Sequence, residues 1–482
     1  MKKFYIPTSI AYTNAPPHIG FALESVQTDV LARYRRSLGE DVFFLTGTDE
    51  NGLKNFQAAE KAGKTPQEFV DGISAKYKEL TRVLNISNDD FIRTTDKKRH
   101  WPTVQKVWLK LKENNDIYKK KYKGLYCVGC EAFIKEKDLI DGKCLVHQKE
   151  PEVLEEENYF FRLSKYQNRI KKIIENNEIK IIPETRRNEL LSFINQGLED
   201  TSCSRSREKL EWGIPVPDND TQTIYIWLEA LVNYLSAVDY VTDGDKFKKF
   251  WPPDVHCIGK DIFIRFHGSL WPAMILSLGL ELPKTIFVHG FITVGGQKMS
   301  KSLGNVIDPF ELVKKYGTDP VRYYLLAEIP STEDGDFTYE KFEQRYNSDL
   351  ASGIGNLLAR VKTMAEKISF KENNLQDIQK KISGTEKNYK KGLEEFKFHE
   401  ALKAIWELIG FCDRYIDLEK PWENKENSRE VLGCLLVVLD KIADFLKPFL
   451  PETSEKILRE IERDKKTGKF KNKKGKPLFP RL

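Results

Sequence analysis

Residues 2–21 read KKFYIPTSIAYTNAPPHIGF, and this stretch with its sequel decides the architecture. The apolar, β-prone opening predicts a strand, Pro16-Pro17 forces extended backbone, and Ile19 to Arg36 carries apolar residues at helical spacing. DVFFLTG at 41–47 then reads as a buried strand. Strand, crossover helix and second strand make the unit of a parallel, nucleotide-binding sheet. Further buried strands are expected at DVHCIGK (254–260) and KTIFVHGFI (284–292). One α/β sheet is therefore expected, split by a charged, cysteine-bearing insertion between residues 116 and 215. Beyond residue 345 helical periods take over, first at Phe398, Leu402, Ile405, Leu408 and Cys412, then at Leu432, Leu435, Leu439, Ile442 and Leu446. They predict a helix bundle.

The 482 residues suffice for three or four domains, and 40% hydrophobic with 31% charged side chains excludes wholesale disorder. A net charge of +6 from 78 basic and 72 acidic residues names no partner by itself. Its distribution says more: RDKKTGKFKNKKGK (463–476) predicts a flexible basic tail, either solvated surface or a contact for a polyanion such as RNA. The N-terminal MKKFYIPTSIAYTNAPP has no uninterrupted apolar run and so no secretory signal. The longest apolar run, CLLVVL (434–439), is far too short to span a membrane. A soluble, cytoplasmic protein is expected.

GGQKMSKSLGN (295–305) combines three glycines with two lysines. Glycines let backbone approach a ligand and lysines suit phosphate oxygens, so the loop reads either as a mobile anion-binding loop or as solvated surface. His18 falls at the start of the first helix, where unpaired N–H groups favour anions. It reads as a phosphate donor or as a capping or core histidine. Taken together, the two elements predict an anion site at the carboxyl ends of the sheet. Cys127-x-x-Cys130, thirteen residues, then Cys144-x-x-His147 has the paired spacing of a tetrahedral, structural Zn²⁺ site; merely buried cysteines are the alternative.

HIGF (18–21) resembles the HIGH signature, and KMSKS (298–302) matches the second signature, of class I aminoacyl-tRNA synthetases. FFLTGTDENG, LYCVGC with CLVH, WGIPVP, IYIWLEALVNYLSA, HCIGKDI, VHGFITVGGQKMSKSLGN, RYYLL and RYIDLEKPW look like the methionyl-tRNA synthetase family, in its single-zinc form, over nearly the whole chain. The resemblance implies a split Rossmann-like parallel-sheet catalytic domain with a zinc-bearing insertion and a C-terminal α-helical bundle. Its expected parts are 1–115 and 216–295 (catalytic halves), 116–215 (zinc insertion), 296–345 (KMSKS loop and stem contact), 346–463 (anticodon-binding bundle) and 464–482 (basic tail).

The same resemblance implies that methionine is activated with ATP to methionyl-adenylate and passed to the 3′-terminal adenosine of tRNA(Met). Asp49 would hold the methionine ammonium, with Ile10, Tyr12, Trp227, Ala230, Leu231, Tyr234 and His267 around the thioether. His18, Gly20, Gly259, Asp261, Lys298 and Lys301 would contact ATP, which comes with Mg²⁺; His18, Lys298 and Lys301 would carry the catalysis. Asn356, Arg360 and Trp422 would read the CAU anticodon. Cys127, Cys130, Cys144 and His147 would hold one structural Zn²⁺.

The chain departs from the family pattern in several places. Phe21 replaces the second signature histidine, Asn51 stands for histidine, Glu229 and Asp413 stand for aspartate and asparagine, and KDIFIRFHG is one residue longer than usual before His267. Two rivals remain: a same-class synthetase for leucine, isoleucine, valine or cysteine, and a non-catalytic tRNA-binding descendant. A sequence ending at Leu482 without a β-rich C-terminal module leads to the expectation of a monomer.

Overall fold

The computed structural model describes the chain apart from residues 129–131, 135, 137–138, 146–147, 300–303, 366–375, 424 and 463–476. The basic tail therefore lies outside the described residues. Two compact units are present: residues 1–17, 39–81 and 88–288 form the first, and 18–38, 82–87 and 289–482 the second.

The first unit is organised on strands β1 (Lys3–Pro7), β2 (Ala11–Tyr12), β3 (Asp41–Asp49), β4 (Asp90–Arg93), β5 (Lys180–Ile182), β6 (His256–Gly259) and β7 (Thr285–His289). β1, β2 and β4 each pair in parallel with β3, and β5 pairs in parallel with β7, which lies beside β6. A parallel bridge between Thr8 and Cys257 joins the two sets. Every residue of β3 from Val42 to Asp49 is buried, as expected of a strand covered on both faces. The core places Tyr5, Leu45, Trp108, Phe161, Phe263 and Trp271 together.

The strands Ile117–Cys127 and Glu152–Phe161 run antiparallel from Ile117↔Phe161 to Tyr126↔Glu152, setting Lys119, Lys120, Lys121 and Lys123 across from Tyr159, Asn158, Glu157 and Glu155. The 116–215 stretch is not wholly an insertion, however: its residues 180–182 are β5 of the core sheet. A strand of three residues is too short for its period to be read from sequence.

The second unit takes the helix Ile19–Ser37, the small sheet of Ile292–Val294, Gln297–Lys298 and Gly335–Phe337, and the helices that follow. The two apolar stripes expected of the bundle, on Phe398–Glu419 and Lys425–Leu446, are buried at every position. At its centre lies Arg322, fully buried and 2.7 Å from the equally buried Asp29. Arg322 also donates to the carbonyls of Phe449, Leu84 and Pro448 at 2.8, 3.0 and 3.0 Å. Arg33 and Ser87 complete the shell of Asp29. Burial alone would raise this carboxyl; Arg322, Arg33 and the Ser87 hydrogen bonds outweigh it and hold the group below its usual range. No helix among the described residues is long and apolar enough to cross a membrane.

Candidate active site

In the first unit, β2 and β3 pair in register so that Tyr12 lies beside Asp49, the last residue of β3. Asp49 is buried, and its carbonyl accepts from the Thr13 N–H at 3.0 Å and from Asn55 Nδ2 at 3.3 Å. The strand end, and with it the carboxylate, is fixed by backbone rather than by a flexible stem. Trp227 stacks flat on Phe266, with centroids 3.5 Å apart and planes 8° from parallel. Ile10 and Trp227 pack on the main core, and Tyr12 and Trp227 on a smaller cluster of Tyr126, Leu210 and Tyr225. Ala230 and Leu231 are buried on the same short helix, Ile226–Leu231. An acid at the rim of an aromatic and aliphatic wall suits an amino acid with a polarizable, apolar side chain.

Tyr234 and His267 meet deeper in this unit. His267 Nδ1 lies 3.1 Å from the Ile262 carbonyl, which only accepts, so Nδ1 carries the ring proton. Nε2 therefore accepts from the Tyr234 hydroxyl at 2.8 Å. Tyr5 Oη donates to the Tyr234 carbonyl at 2.9 Å and anchors that residue from β1. Burial lowers the His267 imidazole to about 4, against a weaker opposing effect of the Ile262 hydrogen bond, so the ring is neutral at physiological pH. His256, fully buried, is lowered further by burial and by His267.

The extra residue before His267 is absorbed by helix type. Phe263–Leu270 is a π-helix, in which the His267 N–H bonds the Ile262 carbonyl five residues back at 3.3 Å. One wide turn takes up one residue and returns the following helix, Trp271–Leu278, to α-geometry.

Two other departures contact each other. Asn51 Nδ2 donates to Glu229 Oε1 at 3.0 Å: a side chain shorter than histidine faces one longer than aspartate. Glu229 Oε2 lies 2.9 Å from His100 Nε2, whose Nδ1 is 3.0 Å from Ser236 Oγ. All four side chains are buried. The network ties the loop after Asp49 to the helices of Trp227 and Tyr234. Sequence reasoning does not single out His100 or Ser236: His100 sits in the charged run DKKRHW with no periodic or motif signal.

Gly259 is the buried last residue of β6, and Asp261 is exposed two residues beyond it. In the second unit, His18 caps the helix Ile19–Ser37: its Nδ1 accepts from the Gly20 N–H at 3.0 Å. A neutral His18 then bears its proton on Nε2, able to donate to an anion. A Cβ at Gly20 would stand 2.8 Å from His18 Cε1, so only glycine fits under this ring. Lys298 is exposed on the short strand Gln297–Lys298, its ammonium 5.3 Å from the centre of the Phe291 ring. Lys301 lies outside the described residues.

Of the expected metal ligands, Cys127 and Cys144 are buried in one cluster with Ile134, whereas Cys130 and His147 lie outside the described residues. Two cysteines brought together from separate elements, neither in a disulfide, are the donor chemistry that Zn²⁺ takes. Asn356 is exposed at the start of the helix Asn356–Ala365. Arg360 is ion-paired with Asp413 at 3.2 Å and Asp417 at 2.6 Å. Trp422 is 53% exposed, not buried between helices.

A family model described as "tRNA synthetases class I (M)" matches residues 4–137 and 129–362, and one described as an anticodon-binding domain of tRNA ligase matches 376–476. The chain is 45% identical to a methionine–tRNA ligase of Thermotoga maritima over 97% of this chain and 76% of that protein. It also resembles the Mycobacterium tuberculosis methionyl-tRNA synthetase in complex with methionyl-adenylate: 37% identity, TM-score 0.94, and 100% of both chains covered. The free form of the M. tuberculosis protein gives 34% identity and a TM-score of 0.86, covering 100% of this chain and 98% of that one. The chain belongs to the methionyl family of class I tRNA synthetases.

Proposed function

We propose that the protein activates L-methionine with ATP to methionyl-adenylate and transfers the methionyl group to tRNA(Met) in the cytoplasm. The observation that carries this reading is the fixed Asp49 carboxylate beside Tyr12, in a unit whose walls include Trp227 and the neutral Tyr234–His267 pair. Asp49 pairs with the substrate ammonium. Ile10, Tyr12, Trp227, Ala230, Leu231, Tyr234 and His267 enclose the thioether, and a neutral imidazole avoids placing a cation against it. The greater likeness to the adenylate-bound M. tuberculosis structure than to its free form supports the same reading.

In the first step a methionine carboxylate oxygen attacks the α-phosphorus in line. The bond to the β-phosphate oxygen breaks and pyrophosphate leaves with the electron pair. Charge grows on that leaving group, so His18 Nε2–H, Lys298 and Lys301 would stabilise the transition state, with Gly20, Gly259 and Asp261 placing the nucleotide. Mg²⁺ neutralises phosphate oxygens when ATP is bound; among the described residues no three acidic, histidine or cysteine side chains gather as a protein cage for it. In the second step the terminal ribose hydroxyl attacks the activated carbonyl and AMP departs. Asn356, Arg360 and Trp422 read the anticodon by edge contacts and stacking.

Cys127, Cys130, Cys144 and His147 would hold one Zn²⁺ that stabilises the insertion and takes no part in the chemistry. Chelation should release one zinc per chain and lower the melting temperature. A metal-free chain with an unchanged melt would refute the site.

The main test is ATP–pyrophosphate exchange with methionine, leucine, isoleucine, valine and cysteine in parallel. Exchange with methionine, abolished in Lys301→Ala, is expected. Exchange with another amino acid alone would reassign the pocket. Silence with all five, in folded protein that binds tRNA, would make the chain a binding protein.

A further inference from the structure

The helix Phe398–Glu419 presents two unlike faces. On one, Asp413 and Asp417 are closed off by Arg360. On the neighbouring face Lys403, Trp406, Glu407, Gly410 and Arg414 follow at spacings of three and four, which aligns them along one side of a helix. With Lys381 from the helix Gln376–Glu394 they line a solvent-open cleft of about 450 Å³. Three cations stand there against one carboxylate, Glu407. Among the described residues none of the three cations forms an ion pair, although the unit pairs cations elsewhere: Lys362 with Glu460, Arg345 with Glu328.

The floor of the cleft is prepared for a ligand. Trp406 Nε1 donates to the Asp349 carbonyl at 3.2 Å, and its ring lies 4.6 Å from that of Tyr323, so the indole is held in place. Gly410 leaves the helix backbone bare between Trp406 and Arg414; the nearest atom to a Cβ built there is Arg414 Nη1 at 3.5 Å. From Lys403 to Arg414 the cations extend about 16 Å along the axis at roughly 1.5 Å per residue, longer than a single phosphate. An extended polyanion fits this row better than a small anion does.

We propose that this cleft binds the ribose–phosphate backbone of the tRNA anticodon arm, with Lys381, Lys403 and Arg414 contacting phosphates. The inference rests on the tRNA-binding reading, and all the lining residues fall within the matched anticodon-binding model. It also assigns the cations differently from the sequence. Arg360, expected to face RNA, is neutralised by Asp413 and Asp417, whereas Arg414 forms no ion pair among the described residues.

The test is tRNA(Met) affinity at several salt concentrations for the full chain and for Lys403→Gln, Arg414→Gln and Lys403→Glu/Arg414→Glu, with melting temperatures as the check on folding. Each glutamine variant should weaken binding several-fold and reduce the slope of log K against log salt by about 0.7–0.9 for each phosphate no longer neutralised. The weakening should be the same factor for a tRNA with an altered anticodon, because backbone phosphates carry no sequence information. Unchanged affinity and slope in folded variants, with the wild type binding tRNA, would overturn the cleft assignment; so would a weakening confined to the cognate anticodon. No tRNA binding by the wild type would instead remove the underlying reading.

Discussion

The pocket of the first unit and the cleft of the second treat polar groups in opposite ways. Around Tyr234 and His267 the polar groups are buried, neutral and hydrogen-bonded in a fixed order. Along Phe398–Glu419 the charges are exposed, and three of them are left open. The difference matches the ligands proposed for each. A small ligand taken from water must be matched by groups already in place, because an unmade buried hydrogen bond costs about 1–3 kcal/mol. A long polyanion is held by charges that stay hydrated until it arrives, each worth little and screened by salt.

That contrast can be broken most decisively at Asp49. Asp49→Asn keeps the shape but removes the charge facing the substrate ammonium, and kcat/KM for methionine in exchange should fall by about 100–1,000-fold, the scale of a buried ion pair left half-made. A drop below about tenfold would show that Asp49 does not hold the ammonium.

Acid should probe the neutrality of the pocket. His267 titrates at about 4 when folded, against 6.5 for an ordinary imidazole. Its contribution to stability is full above about 6.5 and declines as pH falls from there through about 4, with roughly 3 kcal/mol at stake in total. Melting temperature against pH for wild type and His267→Asn should therefore converge on acidification, with the variant less sensitive. Parallel curves would mean that the ring is not held neutral.

A smaller effect is expected for Tyr234→Phe, which leaves His267 Nε2 without its donor. KM for methionine should rise about tenfold with a modest change in kcat. In the cleft region, Asp413→Asn removes a negative charge beside Arg360 and frees its guanidinium. It should raise tRNA affinity roughly two- to threefold, on the order of 0.5 kcal/mol, measured at fixed salt. Weaker binding would show that Asp413 itself touches the RNA.

Much of the fold is legible because its elements carry strong, long-range periods: the apolar run of β3 and the two stripes of the bundle are buried where the spacing puts them. β5, a strand of three residues, is not, because its period is too short to register. In the site, Tyr12 and Asp49 can be named from sequence, yet their adjacency comes from strand register, which no local pattern states. The π-turn is visible there only as an unexplained extra residue before His267. The pairing of Asn51 with Glu229, and of Glu229 with His100, joins residues far apart in the chain through shape alone. Arg360 shows the reverse: its spacing is right, but its charge is engaged by two carboxylates whose proximity only the helix packing reveals.

Arg322 carries a consequence for synthesis. One guanidinium gathers Asp29, near the start of the chain, with the carbonyls of Leu84, Pro448 and Phe449. On the ribosome the first helix is made roughly four hundred residues before the last of these partners, so at about 5–20 residues per second it waits roughly 20–80 s for its final neighbours. A nascent chain released before residue 449 therefore lacks the closing contacts of its own first helix, so quality control can recognise truncated products by that helix.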